Sequence, residues 1–394
     1  TFIGATLPVL SRYIIRREQL ISLKISQLYA LNTLGALCGT LFAGYILLPR
    51  LGISLTTMTA VGMNMFVAGV FWLTNAMTGP SQNPSDRILV KGNQEDRKTT
   101  RFQKVVLMGF CLSGVAAMFY EVAWTRTLSM ILGTSTYAFT TMLSTFLLGI
   151  ALGSAVYGHI KRFVPDIWLF TGLQFIITAS ALMSIPLFEK LPFLYLSVNA
   201  IGMDSWMGVQ FIRFVLAASV MLVPTLALGT LLPVVSVVFV EKTNHLGRRL
   251  GTAYGLNTLG CVIGAVAGGL LLIPFLGMQK TIMIGAVINL VAGSMVCLLN
   301  TDISKGLRWA GVTTAALLTI VLITAVTPWA PKIINSGVYV YADRYNTMLD
   351  RYQKASENQD SIQTLPPWQV FEMAMKQYDL LYYNTGRSWS VMTG

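Results

Sequence analysis

The sequence predicts an all-α polytopic membrane protein, a helical bundle duplicated at an offset of 225 residues and followed by a small α+β segment outside the membrane. Three observations carry that expectation. Apolar residues make up 54% of the 394 positions and charged residues 11%, with a mean hydropathy of +0.63, whereas a soluble globule devotes roughly a quarter of its residues to charge. The words Tyr29-Ala30-Leu31-Asn32-Thr33-Leu34-Gly35 return as Tyr254-Gly255-Leu256-Asn257-Thr258-Leu259-Gly260. From residue 329 on, Pro, Asn, Gln, Asp, Tyr and Trp replace the apolar runs.

The register of the repeat holds without a gap in both directions. Gly4, Leu7, Pro8 and Ser11 fall on Gly229, Leu232, Pro233 and Ser236, and Gly44, Pro49 and Gly52 fall on Gly269, Pro274 and Gly277. A period of this length is a whole bundle copied once, the internal symmetry of many transporter folds. A complete second copy over 104–300 leaves 104–228 without a first-copy counterpart, so about 100 or more residues are expected upstream of Thr1.

A spanning helix needs about 20 mostly apolar residues, because each backbone N–H and C=O must be satisfied within the segment. After the tail of a helix at 1–15, such runs lie at 26–49, 53–77, 104–125, 136–158, 166–187, 209–240, 250–274, 278–300 and 307–328. The organisation read from them is the end of a first membrane repeat at 1–77, a charged linker at 78–103, a second repeat at 104–300, an additional transmembrane helix within 301–328 and an extramembrane segment at 329–394. Pro8, Pro224 and Pro233 fall within spans and are expected to kink them. In the tail, Trp368–Leu381 reads as a short amphipathic helix and Leu380–Met392 as a hairpin turning at Asn384-Thr385-Gly386-Arg387.

Basic residues are held on the cytoplasmic side of a bilayer. Alternate loops give 17 Lys and Arg on one side, among them Arg12, Arg97, Arg162 and Arg248, against five on the other (Arg50, Arg126, Lys190, Arg213, Lys280). The basic loops are therefore expected in the cytoplasm, the tail on the opposite face, and the chain in the cell's inner (plasma) membrane. The net charge of +12 suits anionic lipid headgroups. Being spread over loops, it gives no argument for nucleic acid. Four cysteines without metal or haem spacing and two histidines in separate loops point to no cofactor and no metal.

Glu121 is the only carboxylate inside a predicted span rather than at its end, and an ionisable group there is a candidate site by default. It lies 17 residues past Lys104, about 26 Å along a helix. Near the outer interface it either pairs with Arg126 or caps a broken helix, with Trp124 as an interfacial anchor, or it binds a proton or cation. Asn32 and Asn257, equivalent in the two copies, either line a central cavity as a polar pair or hydrogen-bond between helices. The ladders Gly35, Gly39, Ala43 and Gly260, Gly264, Gly268, with Gly149 and Gly153, read as small faces that let helix backbones approach closely.

Together, Leu112-Ser113-Gly114, Tyr120-Glu121-Val122-Ala123-Trp124-Thr125-Arg126, Gly149-x-x-x-Gly153, the two G-x-x-L-P and Y-x-L-N-T-x-G copies, Gly337-Val338-Tyr339-Val340-Tyr341-Ala342 and Leu380-Leu381-Tyr382-Tyr383-x-x-Gly386 resemble the membrane-fused spermidine-synthase-like proteins. In that family a major-facilitator-like bundle precedes an aminopropyltransferase-like domain. The resemblance implies that 329–394 begins such a domain, whose Gly-rich nucleotide loop and acidic catalytic residue would follow Gly394. Residues 1–394 carry no G-x-G-x-x-G after a strand, and Ser388-Trp389-Ser390 stands where the soluble enzymes tend to carry a Tyr-Gln pair. The expectation is a membrane domain without catalysis of its own, moving or presenting a small solute, with an accessory subunit docking partners through 329–394 as the alternative. An active polyamine aminopropyltransferase would need the further domain.

Overall fold

The computed structural model of the chain describes residues 6, 9–11, 21–78, 100–200, 205–239, 246–300, 304–357, 365–377, 379–383 and 390–393. Most of the basic loops, Pro8, most of the 78–103 linker and the 384–389 turn lie outside them. In chain order the helices are α1 (Ile21–Phe42, continued by a π turn at Ala43–Leu47), α2 (Leu48–Thr78), α3 (Arg101–Leu132), α4 (Thr136–Ile160), α5 (Asp166–Asn199), α6 (Trp206–Phe239), α7 (Leu246–Val266, continued by a π turn at Ala267–Leu272), α8 (Ile273–Leu299), α9 (Lys305–Ala325), α10 (Pro331–Ile334), α11 (Val338–Glu357) and α12 (Pro367–Gln377). Strands β1 (Asp379–Tyr383) and β2 (Ser390–Thr393) close the order. Among the described residues, seven helical segments are long and apolar enough to cross a membrane. This is a multi-pass helical membrane protein.

Two of the seven are too long for one crossing. Leu23–Thr74 has 52 residues and Gly247–Leu299 has 53, about 78 Å of helix against a hydrocarbon core of about 30 Å. Contacts with α3 resolve the second case. Gly260 and Gly264 lie against Cys111 and Val115, so α7 runs with α3, whereas Gly285 lies against Tyr120 and Gly109 near Ala292, so α8 runs against it. The chain reverses at Gly277, whose φ of 83° and ψ of 167° are open to glycine because no Cβ obstructs them. Gly52, 225 positions earlier, has φ 71° and ψ −179°. The π turns precede these glycines at matching positions, 43–47 and 267–272. The segments that follow the two repeated words therefore share both departures from regular helix.

Local chemistry sets the helix ends. Thr100 caps α3 with a reciprocal pair, its hydroxyl accepting from Gln103 N (3.2 Å) and the Gln103 side chain accepting from Thr100 N (3.1 Å). Ser135 caps α4 by accepting from Ala138 N. Such caps satisfy amides that the first helical turn leaves without partners.

Two helices run well past their predicted spans. α3 continues beyond 125 because Leu128, Ile131 and Leu132 are buried, and it stops at Gly133. α5 passes through Glu189-Lys190, Pro186 and Pro192 to Asn199. The charges look like a span's end in the sequence, yet Phe188, Leu191, Tyr195 and Leu196 form a helical stripe that is buried. Helix α11 was not anticipated by the periodicity.

The small-residue ladders act where a neighbour is present. On α4, Gly149 meets Thr225 and Gly153 meets the Leu226 carbonyl, while Gly229 of α6 meets the Ile150 carbonyl. These backbones touch, and the Thr230 hydroxyl donates to Gly153 O at 2.9 Å. On α7, Gly260, Gly264 and Gly268 face Cys111, Val115 and Phe119. Gly35 and Gly39 depart from the expectation, since no described atom lies within 4 Å of a Cβ built at either.

The segment after α9 docks on the bundle end formed by α5 and the α7–α8 reversal. The Trp329 indole N–H donates to Ile185 O (2.8 Å), its backbone N–H donates to the Gln279 amide oxygen (3.2 Å), and Ala330 N donates to the Glu189 carboxylate (3.2 Å). Phe188 stacks edge-on against the indole at 5.4 Å. Beyond it, Tyr345 of α11 packs edge-on against the buried Phe371 of α12, whereas Trp368 remains exposed. β1 and β2 pair antiparallel from Asp379↔Thr393 to Tyr383↔Ser390. Trp329→Ala removes the anchor at a cost of about 3 kcal/mol. Limited proteolysis of the solubilised protein is then expected to cut between 326 and 338 several-fold faster, with helical circular dichroism unchanged.

Candidate functional site

Glu121 follows Tyr120 on α3, and the two side chains face different neighbours. Tyr120 is fully buried toward α8, where its hydroxyl accepts from the Asn289 amide at 2.8 Å. Glu121 instead lines a cleft with Thr125 one turn on, Phe139, Met142, Leu143 and Phe146 of α4, and Met221 of α6. The cleft is narrow, with room in this conformation for about one water.

Glu121 neither pairs with Arg126 nor caps a helix end. No ion pair joins either side chain to a described residue, the two lie five positions apart and so point away from each other, and α3 is unbroken from Arg101 to Leu132. The predicted interfacial anchor is likewise corrected. Trp124 is fully buried, stacked on Tyr120 at 5.2 Å with an interplanar angle of 15°, and its indole N–H donates to Ser184 Oγ at 3.2 Å. The apolar interior of the α3–α5–α8 trio holds the ring.

Asn32 and Asn257 do not form a pair. Asn32 is exposed and Asn257 half-buried; the Asn257 amide contacts Cys261 Sγ at 3.9 Å, and its backbone and side-chain oxygens lie against Gly114. Sequence reasoning passed over the cleft's other walls, Phe139, Met142, Phe146 and Met221, because such side chains on an apolar helix have the composition of ordinary packing residues.

Chemically, the cleft places one acidic group, without an ion-pair partner among the described residues, beside methionine and phenylalanine side chains. A carboxylate in such surroundings is costly unless it binds a proton or a cation, and aromatic faces and thioethers suit the alkyl portion of an organic cation. Among the described residues no group of three or more His, Cys, Asp or Glu is placed to hold a metal ion. No family model matches the chain, and neither a curated protein nor a solved structure matches it.

Proposed function

We propose that the chain is the integral membrane domain of a spermidine-synthase-like fusion protein, whose major-facilitator-like bundle binds a small cationic solute at Glu121 and moves it or presents it to the extramembrane part. The observation that carries this reading is the carboxylate that faces an interhelical cleft without an ion-pair partner among the described residues. The repeated words Tyr29–Gly35 and Tyr254–Gly260, each followed by a π turn and a glycine of positive φ, support it, because internal duplication marks many transporter folds. The residue resemblance supplies the solute class, an aliphatic amine. Basic loops face the cytoplasm against anionic lipids in this reading, and catalysis is assigned to no residue of 1–394.

An accessory subunit of a larger membrane assembly is the second reading, favoured by the exposure of α2, where Met65, Phe66, Phe71 and Trp72 are each about 70% exposed. Uptake of radiolabelled putrescine into proteoliposomes separates the two. Transport by the wild-type protein is expected to fall at least about tenfold in Glu121→Gln, which keeps the shape and removes the charge, and to recover in part in Glu121→Asp. A folded wild-type protein with no uptake favours the accessory reading.

A further inference from the structure

Helices α3, α5 and α8 meet at Gly109, where a Cβ would lie 3.3 Å from the Phe170 ring and 3.5 Å from the Ala292 carbonyl oxygen. Helices α3 and α5 run in the same direction, because Trp124 reaches Ser184 as Gly109 reaches Phe170, and α8 runs against both. One helical turn on from the meeting point stand Ser113 and Gln174, and one turn back along α8 stands Asn289. Gln174 faces α8, since a Cβ built at Gly293 would lie 2.9 Å from its own Cβ. The three side chains are buried, at 1%, 0% and 0% exposure. Ser113 Oγ, both polar atoms of the Gln174 amide and Asn289 Oδ1 have no hydrogen-bond partner among the described residues. Their neighbours are satisfied. Asn289 Nδ2 donates to the Tyr120 hydroxyl at 2.8 Å, and the Thr178 hydroxyl donates to the Gln174 and Ala286 carbonyls at 2.9 and 3.2 Å.

An amide or hydroxyl buried in an apolar interior without a partner is costly. Four such atoms, brought to one level by three helices, call for a polar occupant small enough to sit between packed helices. We infer that the α3–α5–α8 junction is a binding site for buried water, bridged among Ser113, Gln174 and Asn289. Water suits the mixture of groups. It donates to Gln174 Oε1 and Asn289 Oδ1 and accepts from Gln174 Nε2, and Ser113 Oγ takes either part. A buried water makes about three hydrogen bonds, so about two molecules serve the four atoms. A metal cation fits less well, because none of the three neutral side chains offsets its charge and the Gln174 N–H groups would be left without an acceptor. The site shares no side chain with the Glu121 cleft and is independent of the function assigned to it.

The test is radiolytic hydroxyl labelling of the full chain in mild detergent, read by mass spectrometry. Radiolysis makes hydroxyl radicals wherever water is bound, so a fully buried ring is oxidised only if water adjoins it. Tyr120 reports on the junction, and Phe188, equally buried, is the comparison. After correction for the intrinsic reactivity of each ring, Tyr120 is expected to be oxidised at least about fivefold faster. That excess is expected to disappear in Gln174→Leu, which keeps the bulk and removes the polar atoms. The same variant is expected to melt about 2 °C or more below wild type, since Ser113 and Asn289 lose their bridge. Tyr120 labelled no faster than Phe188 would show a dry junction and overturn the proposal. A Gln174→Leu protein that melts above wild type would overturn it too, as the mark of an amide buried without any partner. A wild-type melting temperature about 2 °C or more higher in sodium chloride than in choline chloride of equal ionic strength, with no such difference in Gln174→Leu, would place a cation there and overturn the assignment to water. The wild-type labelling reads the site whether or not the variant folds.

Discussion

Gly153→Leu is expected to leave almost no folded protein. At Gly153 the backbone of α4 rests directly on the Leu226 carbonyl of α6, and four residues earlier Gly149 rests on Thr225. Gly229 repeats the arrangement from the other side, against the Ile150 carbonyl. A side chain at 153 meets main chain, which cannot rotate away as a flexible neighbour would. Separating the helices also breaks the bond from the Thr230 hydroxyl to Gly153 O. Forcing extra methylenes into a packed core costs about 1–3 kcal/mol where side chains can shift, so a cost above about 3 kcal/mol follows where they cannot. In a bilayer, close packing of this kind drives helix association in place of the hydrophobic effect. Size-exclusion profiles of extracted protein check it, with Gly172→Leu as the comparison, since Gly172 has no close neighbour. A monodisperse Gly153→Leu with unchanged melting temperature would refute the α4–α6 contact.

The second large effect is expected at Trp124. Its ring is fully buried, lies over Tyr120 and donates to Ser184, so Trp124→Ala opens a cavity between α3 and α5 at about 3 kcal/mol or more. Trp124→Phe keeps most of the ring contact and loses the hydrogen bond, an effect of about 1 kcal/mol in membrane helices. Denaturant titration in mixed micelles reads both. An interfacial tryptophan would give a small loss for either substitution, so a large gap between Ala and Phe distinguishes burial from anchoring.

Hydropathy made the helices legible because lipid requires continuous apolar runs, and 53–77 and 278–300 were separable from their predecessors since Gly52 and Gly277 stand between them. The repeated words Tyr29–Gly35 and Tyr254–Gly260 were legible, and the π turn and positive-φ glycine that follow each of them were not. Helix ends were missed where burial continues beyond the span, as at Leu128–Leu132 and Phe188–Leu196, because charge and proline signal an end only when water lies beyond. The candidate site was half legible. Glu121 stood out as an acidic residue in an apolar run, but which way it faces depends on a rotation about α3 that sequence does not specify, and that rotation sent Trp124 inward and Glu121 toward α4 and α6.

The central claim is that the Glu121 cleft takes a small organic cation, and equilibrium binding of radiolabelled putrescine to the protein in lipid nanodiscs tests it most directly. The account predicts saturable binding at one site per chain, competed by other aliphatic diamines and lost in Glu121→Gln while that variant keeps its melting temperature. Absence of saturable binding to the folded wild-type protein, or equal binding by Glu121→Gln, would contradict it.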